Sequence, residues 1–98
     1  MAYKIKLSDE ALSQLENRLD YLVENWFEKI AKEFINKVDT KLSFISELPY
    51  SYSASPIRKD IRKCVVTKQV SIFYKILYEQ VRIIAIFDTR QSRDKIKL

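Results

Sequence analysis

Arg62, Lys63, Arg82, Arg90 and Arg93 are the side chains of this sequence best suited to chemistry, and that chemistry is the recognition of anions. Arginine and lysine meet phosphate or carboxylate through charge-assisted hydrogen bonds, and Arg90, just beyond a strand-like segment, is well placed for one. The charge around them agrees. Eleven of the eighteen Lys and Arg follow Pro49, against four Asp and Glu, whereas the part up to Pro49 holds seven basic and nine acidic residues. Solvation alone does not require such segregation, so the second half reads as a surface made to meet something anionic. Ordinary exposed sheet charge is the plainer alternative for each cation taken singly. Adjacent strand residues point to opposite faces, so Arg62 and Lys63 share one groove only if twist or the tail brings them together.

Other chemistries are excluded by what the sequence lacks. It has no glycine, and with it go Walker loops, dinucleotide fingerprints and glycine-based anion nests. It has no histidine and a single cysteine, Cys64, so neither an internal disulfide nor a Cys/His zinc site can form within one chain. Asp20, Glu24 and Glu28 fall on one helical face but read as solvated surface. No cofactor and no metal are expected. The longest apolar run, Ile83–Phe87, is far too short to span a membrane, and no signal-type segment opens the sequence, so a cytoplasmic protein without a membrane partner is the expectation.

The elements that must position these cations follow from periodicity. The 98 residues make one domain, 1–98. Tyr3, Ile5 and Leu7 alternate within a short strand, Ala2–Leu7. Ser8 is a helix N-cap followed by Asp9 and Glu10, whose charges suit a helix start. Leu12, Leu15, Leu19, Leu22 and Trp26 predict a helix from Asp9 to about Glu24. After a break at Asn25, Phe27, Ile30, Phe34, Val38, Leu42, Ile45 and Leu48 predict a second, stopped by Pro49. The aromatic residues of both stripes read as core.

A Ser/Tyr-rich connection, Tyr50–Pro56, leads to strands at Ile61–Thr67, Val70–Tyr78 and Val81–Phe87, with turns at Lys68-Gln69 and Glu79-Gln80. Val70, Ile72, Tyr74, Ile76 and Tyr78 are expected on one face of their strand. Val81, Ile83, Ala85 and Phe87 are expected on one face of the last, and Arg82, Ile84 and Ile86 on the other. Both faces of these strands are apolar and helices cover only one. The other is expected to meet the tail at Asp94–Leu98 or a partner protein.

This order of strand, helical hairpin and three-stranded antiparallel meander in a single α+β sheet resembles the RelE/ParE superfamily of type II toxin–antitoxin toxins. The residues that carry the resemblance are YKIKLSDEALSQL at Tyr3–Leu15, LSFISELP at Leu42–Pro49, IRKCVV at Ile61–Val66, VSIFYKILYEQVRIIAIF at Val70–Phe87 and DTRQSRD at Asp88–Asp94. The resemblance implies a growth-inhibiting toxin neutralised by a cognate antitoxin protein. RelE-like members cleave mRNA on the ribosome, and ParE-like members poison DNA gyrase. A homodimer, or a hetero-oligomer with the antitoxin, is also implied.

Cleavage of RNA needs a base for the 2′-hydroxyl, an acid for the leaving oxygen and cations for the phosphorane. By the resemblance, Arg62 stands where RelE-like enzymes have the first lysine of a Lys-x-Lys pair, and Cys64 stands at the second. Ser71 replaces a phosphate-stabilising arginine. Gln91 matches the terminal catalytic arginine, with Arg90 beside it. Arginine hardly deprotonates near neutral pH, and three of four positions have changed, so the pattern is nearer to ParE-like than to ribosome-dependent members. Asp88 as a base, and Tyr50, Tyr52 or Tyr74 as stacking platforms, have plainer readings as turn, loop and core residues.

Overall fold

The computed structural model describes residues 2–55 and 58–88. Its elements are strand β1 (Lys4–Leu7), helix α1 (Asp9–Asn25), helix α2 (Glu28–Glu47), a 3-10 turn at Pro49–Ser51, and strands β2 (Arg62–Val65), β3 (Val70–Leu77) and β4 (Gln80–Asp88). The sheet order is β1-β4-β3-β2. The meander β2-β3-β4 is antiparallel as expected, but β1 pairs with β4 in parallel, so the sheet is mixed. The helical hairpin supplies the crossover that a parallel pair requires.

Ser8 turns β1 into α1. Its Oγ accepts from the Ala11 amide at 3.0 Å, with Asp9 and Glu10 in the first turn. Leu48 and Pro49 end α2, since proline has no amide hydrogen to continue the ladder. The turn between β2 and β3 is organised by Thr67, whose Oγ1 accepts from the Gln69 and Val70 amides. The next hairpin turns at Tyr78-Glu79, one residue earlier than the sequence suggested, because Leu77 pairs with Gln80. Tyr78 has φ 56°, the positive value that two-residue hairpins demand and that glycine would adopt freely. With no glycine in the chain, a tyrosine takes it.

The main core lies between helices and sheet: Ala11, Leu15, Phe34, Val38 and Ile45 meet Cys64, Val70, Ile72, Tyr74, Val81, Ile83 and Ile86. Here the expected face assignment of β4 fails. Phe73 pairs with Ala85 but Tyr74 with Ile83, so Ile84 is an extra residue and the strand bulges there. Past the bulge the two faces exchange. Ile86 therefore joins Val81 and Ile83 under the helices, while Ala85 and Phe87 move to the opposite face and pack with Ile61 and Phe73.

That second cluster, on the face expected to meet the tail or a partner protein, is itself buried. The tail at Asp94–Leu98 lies outside the described residues. The helical stripes are corrected as well: Phe34 is buried, but Trp26 and Phe27 are 59% and 75% exposed. Both lie in the turn between the helices, Trp26 as the C-cap of α1 and Phe27 as the N-cap of α2.

Candidate functional site

The edge of β4 beyond the bulge shows how α1 holds the sheet. β1 ends where Leu7 pairs with Ile83, which leaves the next backbone groups of β4 without a strand partner. Helix α1 provides replacements. The Ser8 Oγ donates to the Ile84 carbonyl at 3.0 Å, and the Gln14 Oε1 accepts from the Ile86 amide at 2.8 Å. The Arg18 Nη2 reaches the Asp88 carboxylate at 2.9 Å. Asp88 is thus held by an arginine from α1.

Arg62 and Lys63 diverge, as strand alternation requires. Arg62 pairs with Tyr74 on the helix side, where its Nη1 donates to the Tyr52 carbonyl and, at 3.4 Å, to that of Tyr50. Its guanidinium also lies 5.1 Å from the centre of the Tyr50 ring. The Tyr74 hydroxyl donates to the Pro49 carbonyl at 2.6 Å, and Tyr52 packs edge-on against Phe44 and Tyr74. Together these contacts clamp the segment after α2. Burial pushes Tyr74 up to about 12, and burial with the neighbouring Cys64 pushes Tyr52 up to about 12. Burial likewise raises the Cys64 thiol. Arg62 is therefore a structural clamp, and Cys64 is a core residue.

On the face away from the helices, Lys63 lies opposite Phe73 and is half-buried. Arg82 is exposed on the same side, and register gives it neighbours that sequence reading missed. Lys6 of β1 and Lys75 of β3 both pair with Arg82 and so project to its side of the sheet. Lys4 lies on this side as well, two residues from Lys6. Three cations thus stand in one row across three strands, with a fourth beside it. Directly opposed like charges destabilise a sheet, by about a few tenths of a kcal/mol per exposed pair. No ion pair among the described residues relieves Lys4, Lys6, Lys75 or Arg82. Asp60 adds little: two hydrogen bonds from Arg58 hold its carboxyl below the usual range, and Lys75 contributes least to that.

Arg90 and Arg93 lie outside the described residues, as does Gln91. Ser71 is buried on the face opposite Cys64 and Arg62. Hence Arg62, Cys64 and Ser71 do not converge on one site. Among the described residues no group of three or more His, Cys, Asp or Glu could hold a metal, and no helix is long and apolar enough to cross a membrane.

Solved structures share this architecture. The chain superposes on a structure of the chromosomal ParDE toxin–antitoxin system from P. aeruginosa with TM-score 0.75 at 12% identity, covering 89% of this chain and 96% of that one. The YoeB dimer of Staphylococcus aureus gives TM-score 0.62 at 13% identity, over 89% and 97% of the two chains. A conserved hypothetical protein of Helicobacter pylori gives 0.58 at 12%, over 91% and 97%. These identities show a common fold and nothing finer. No curated protein sequence matches the chain significantly. The family model for the ParE toxin of the type II toxin–antitoxin system parDE does match, over residues 5–93. That match takes in both helices, all of β2, β3 and β4 and all of β1 but Lys4, and the chain belongs to the ParE toxin family within the RelE/ParE superfamily.

Proposed function

We propose that this toxin arrests growth by stoichiometric binding to an essential nucleic-acid machine, with DNA gyrase the family-implied target, and that a cognate antitoxin neutralises it. One observation carries the preference for binding over RNA cleavage. Of the positions that hold catalytic cations in RelE-like enzymes, Arg62 is spent on the Tyr50 and Tyr52 carbonyls, Cys64 is buried among apolar residues, and Ser71 is buried on the opposite face. A phosphorane held between faces of a sheet has no stabilising set. The target surface would include the face that carries Lys63 and Arg82, which also suits an acidic antitoxin segment, and Arg90 and Arg93, outside the described residues, are proposed to contribute to target binding.

Induced expression should stop DNA synthesis before protein synthesis, and the purified toxin should inhibit supercoiling by gyrase. Cleavage of mRNA in purified translating ribosomes, abolished by Arg90→Ala, would instead establish the RelE-like nuclease. Normal growth on expression of a folded, antitoxin-binding product would identify a toxin that has lost its target.

A further inference from the structure

We infer that the row Lys6–Arg82–Lys75, with Lys4 and Tyr78 at its end, seats a single strand of DNA. The inference deepens the function proposed above, because it names what this face meets at a target that works on DNA. Three observations carry it.

The first is the row itself. Neighbouring strands lie about 4.8 Å apart, so the cations of Lys6, Arg82 and Lys75 stem from a line about 10 Å long. No ion pair among the described residues closes on these three cations, and Asp60 acts on Lys75 only weakly, so an anionic chain laid along the row would relieve their repulsion. The second is Tyr78. It is 95% exposed, and it holds φ 56°, a conformation in which a bulky residue is an outlier. A turn needing only positive φ would be better served by asparagine or glycine, so the ring is kept at a cost that the fold does not explain.

The third is the open hollow of about 770 Å³ at the hairpin end of the row, bounded by Lys4, Leu77, Tyr78, Glu79, Gln80 and, from the row itself, Arg82. Its size suits a nucleotide. Cations that track a backbone beside an exposed ring for stacking are the working parts of a single-strand site. A duplex would use the row but hide its base faces from Tyr78. An acidic peptide would use the row and leave the ring idle.

The test is fluorescence anisotropy of a labelled oligo(dT) with the purified toxin across a range of salt. Three to four phosphate contacts give a slope of log K against log salt of about −2 to −3. Lys6→Gln, Lys75→Gln and Arg82→Gln should each flatten that slope by about 0.7. Tyr78→Gly should weaken binding at least about 5-fold at unchanged slope, and Tyr78→Trp should retain it. The glycine variant relieves the backbone, so loss of binding there cannot be blamed on misfolding.

The inference is overturned if wild-type toxin does not bind oligo(dT), or if Tyr78→Gly binds as wild type. It also fails if a matched duplex or oligo(U) binds more tightly, or if polyglutamate competes as well as oligo(dT). Supercoiling inhibition is measured alongside. Inhibition without oligo(dT) binding ends the inference and leaves the proposed function intact, whereas binding without inhibition does the reverse.

Discussion

The Gln14 side-chain carbonyl accepts the Ile86 amide at 2.8 Å, across 72 residues of sequence. It stands in for a strand, because β1 has already ended at Leu7 and turned into α1. The bulge at Ile84 makes the contact consequential. It sends Ile86 toward the helices and Ala85 and Phe87 to the far side, and Ser8 and Gln14 fix the backbone on either side of that exchange. Gln14→Leu leaves a partly buried amide unpaired and should cost about 1–3 kcal/mol in urea unfolding. Gln14→Glu keeps an acceptor and should stay much nearer wild type. Equal stability of the leucine variant would show that the amide finds another partner.

The clamp behind Pro49 predicts a loss of stability at high pH. Burial holds the Tyr74 hydroxyl neutral up to about 12, whereas in the unfolded chain it ionises near 10. For an acid whose folded value is raised, the contribution is complete below the unfolded value. It fades as pH rises from about 10 toward 12, because the unfolded state sheds its proton first. A 2-unit displacement is worth on the order of 2–3 kcal/mol at the top of that window. Tyr74→Phe should lose about 1 kcal/mol at neutral pH, with the hydrogen bond to Pro49, and should show a shallower fall above pH 10. Parallel profiles for the two proteins would remove Tyr74 from the account.

Tyr78 offers the opposite sign. A left-handed backbone costs an ordinary residue about 1–2 kcal/mol, and glycine gives part of this back through its freer unfolded chain. Tyr78→Gly should therefore stabilise the protein by about 0.5–1 kcal/mol in thermal unfolding. A destabilised variant would mean that the exposed ring makes a contact worth more than the strain.

Much of this architecture was legible because its signals are local. Ser8 with Asp9 and Glu10 marks a helix start wherever it occurs, Pro49 ends a helix by chemistry alone, and alternation from Val70 to Ile76 needs no knowledge of the fold. What escaped is relational. Ile84 carries no mark of a bulge, so counting in twos puts Ala85 and Phe87 on the wrong face. Lys6 and Lys75 are unremarkable until parallel pairing of β1 sets both opposite Arg82. The separation of Arg62 from Lys63 was readable from period two. The use of Arg62 on two tyrosine carbonyls was not, since it depends on where the chain runs after Pro49.

Phe27 and Phe34 test the limit of periodicity most directly. They share one helical stripe in the sequence, seven residues apart, yet Phe34 is buried and Phe27 is the N-cap of α2, 75% exposed. Phe34→Ala should cost about 3–5 kcal/mol through lost burial and the cavity left behind. Phe27→Ala should fall within about 0.5 kcal/mol of wild type. Trp26, the sole tryptophan, reports on the same turn without mutation: its emission should be that of a solvated indole, open to quenching by acrylamide. A shielded tryptophan together with a costly Phe27→Ala would mean that this turn is packed, and that the two helices are covered along their whole length after all.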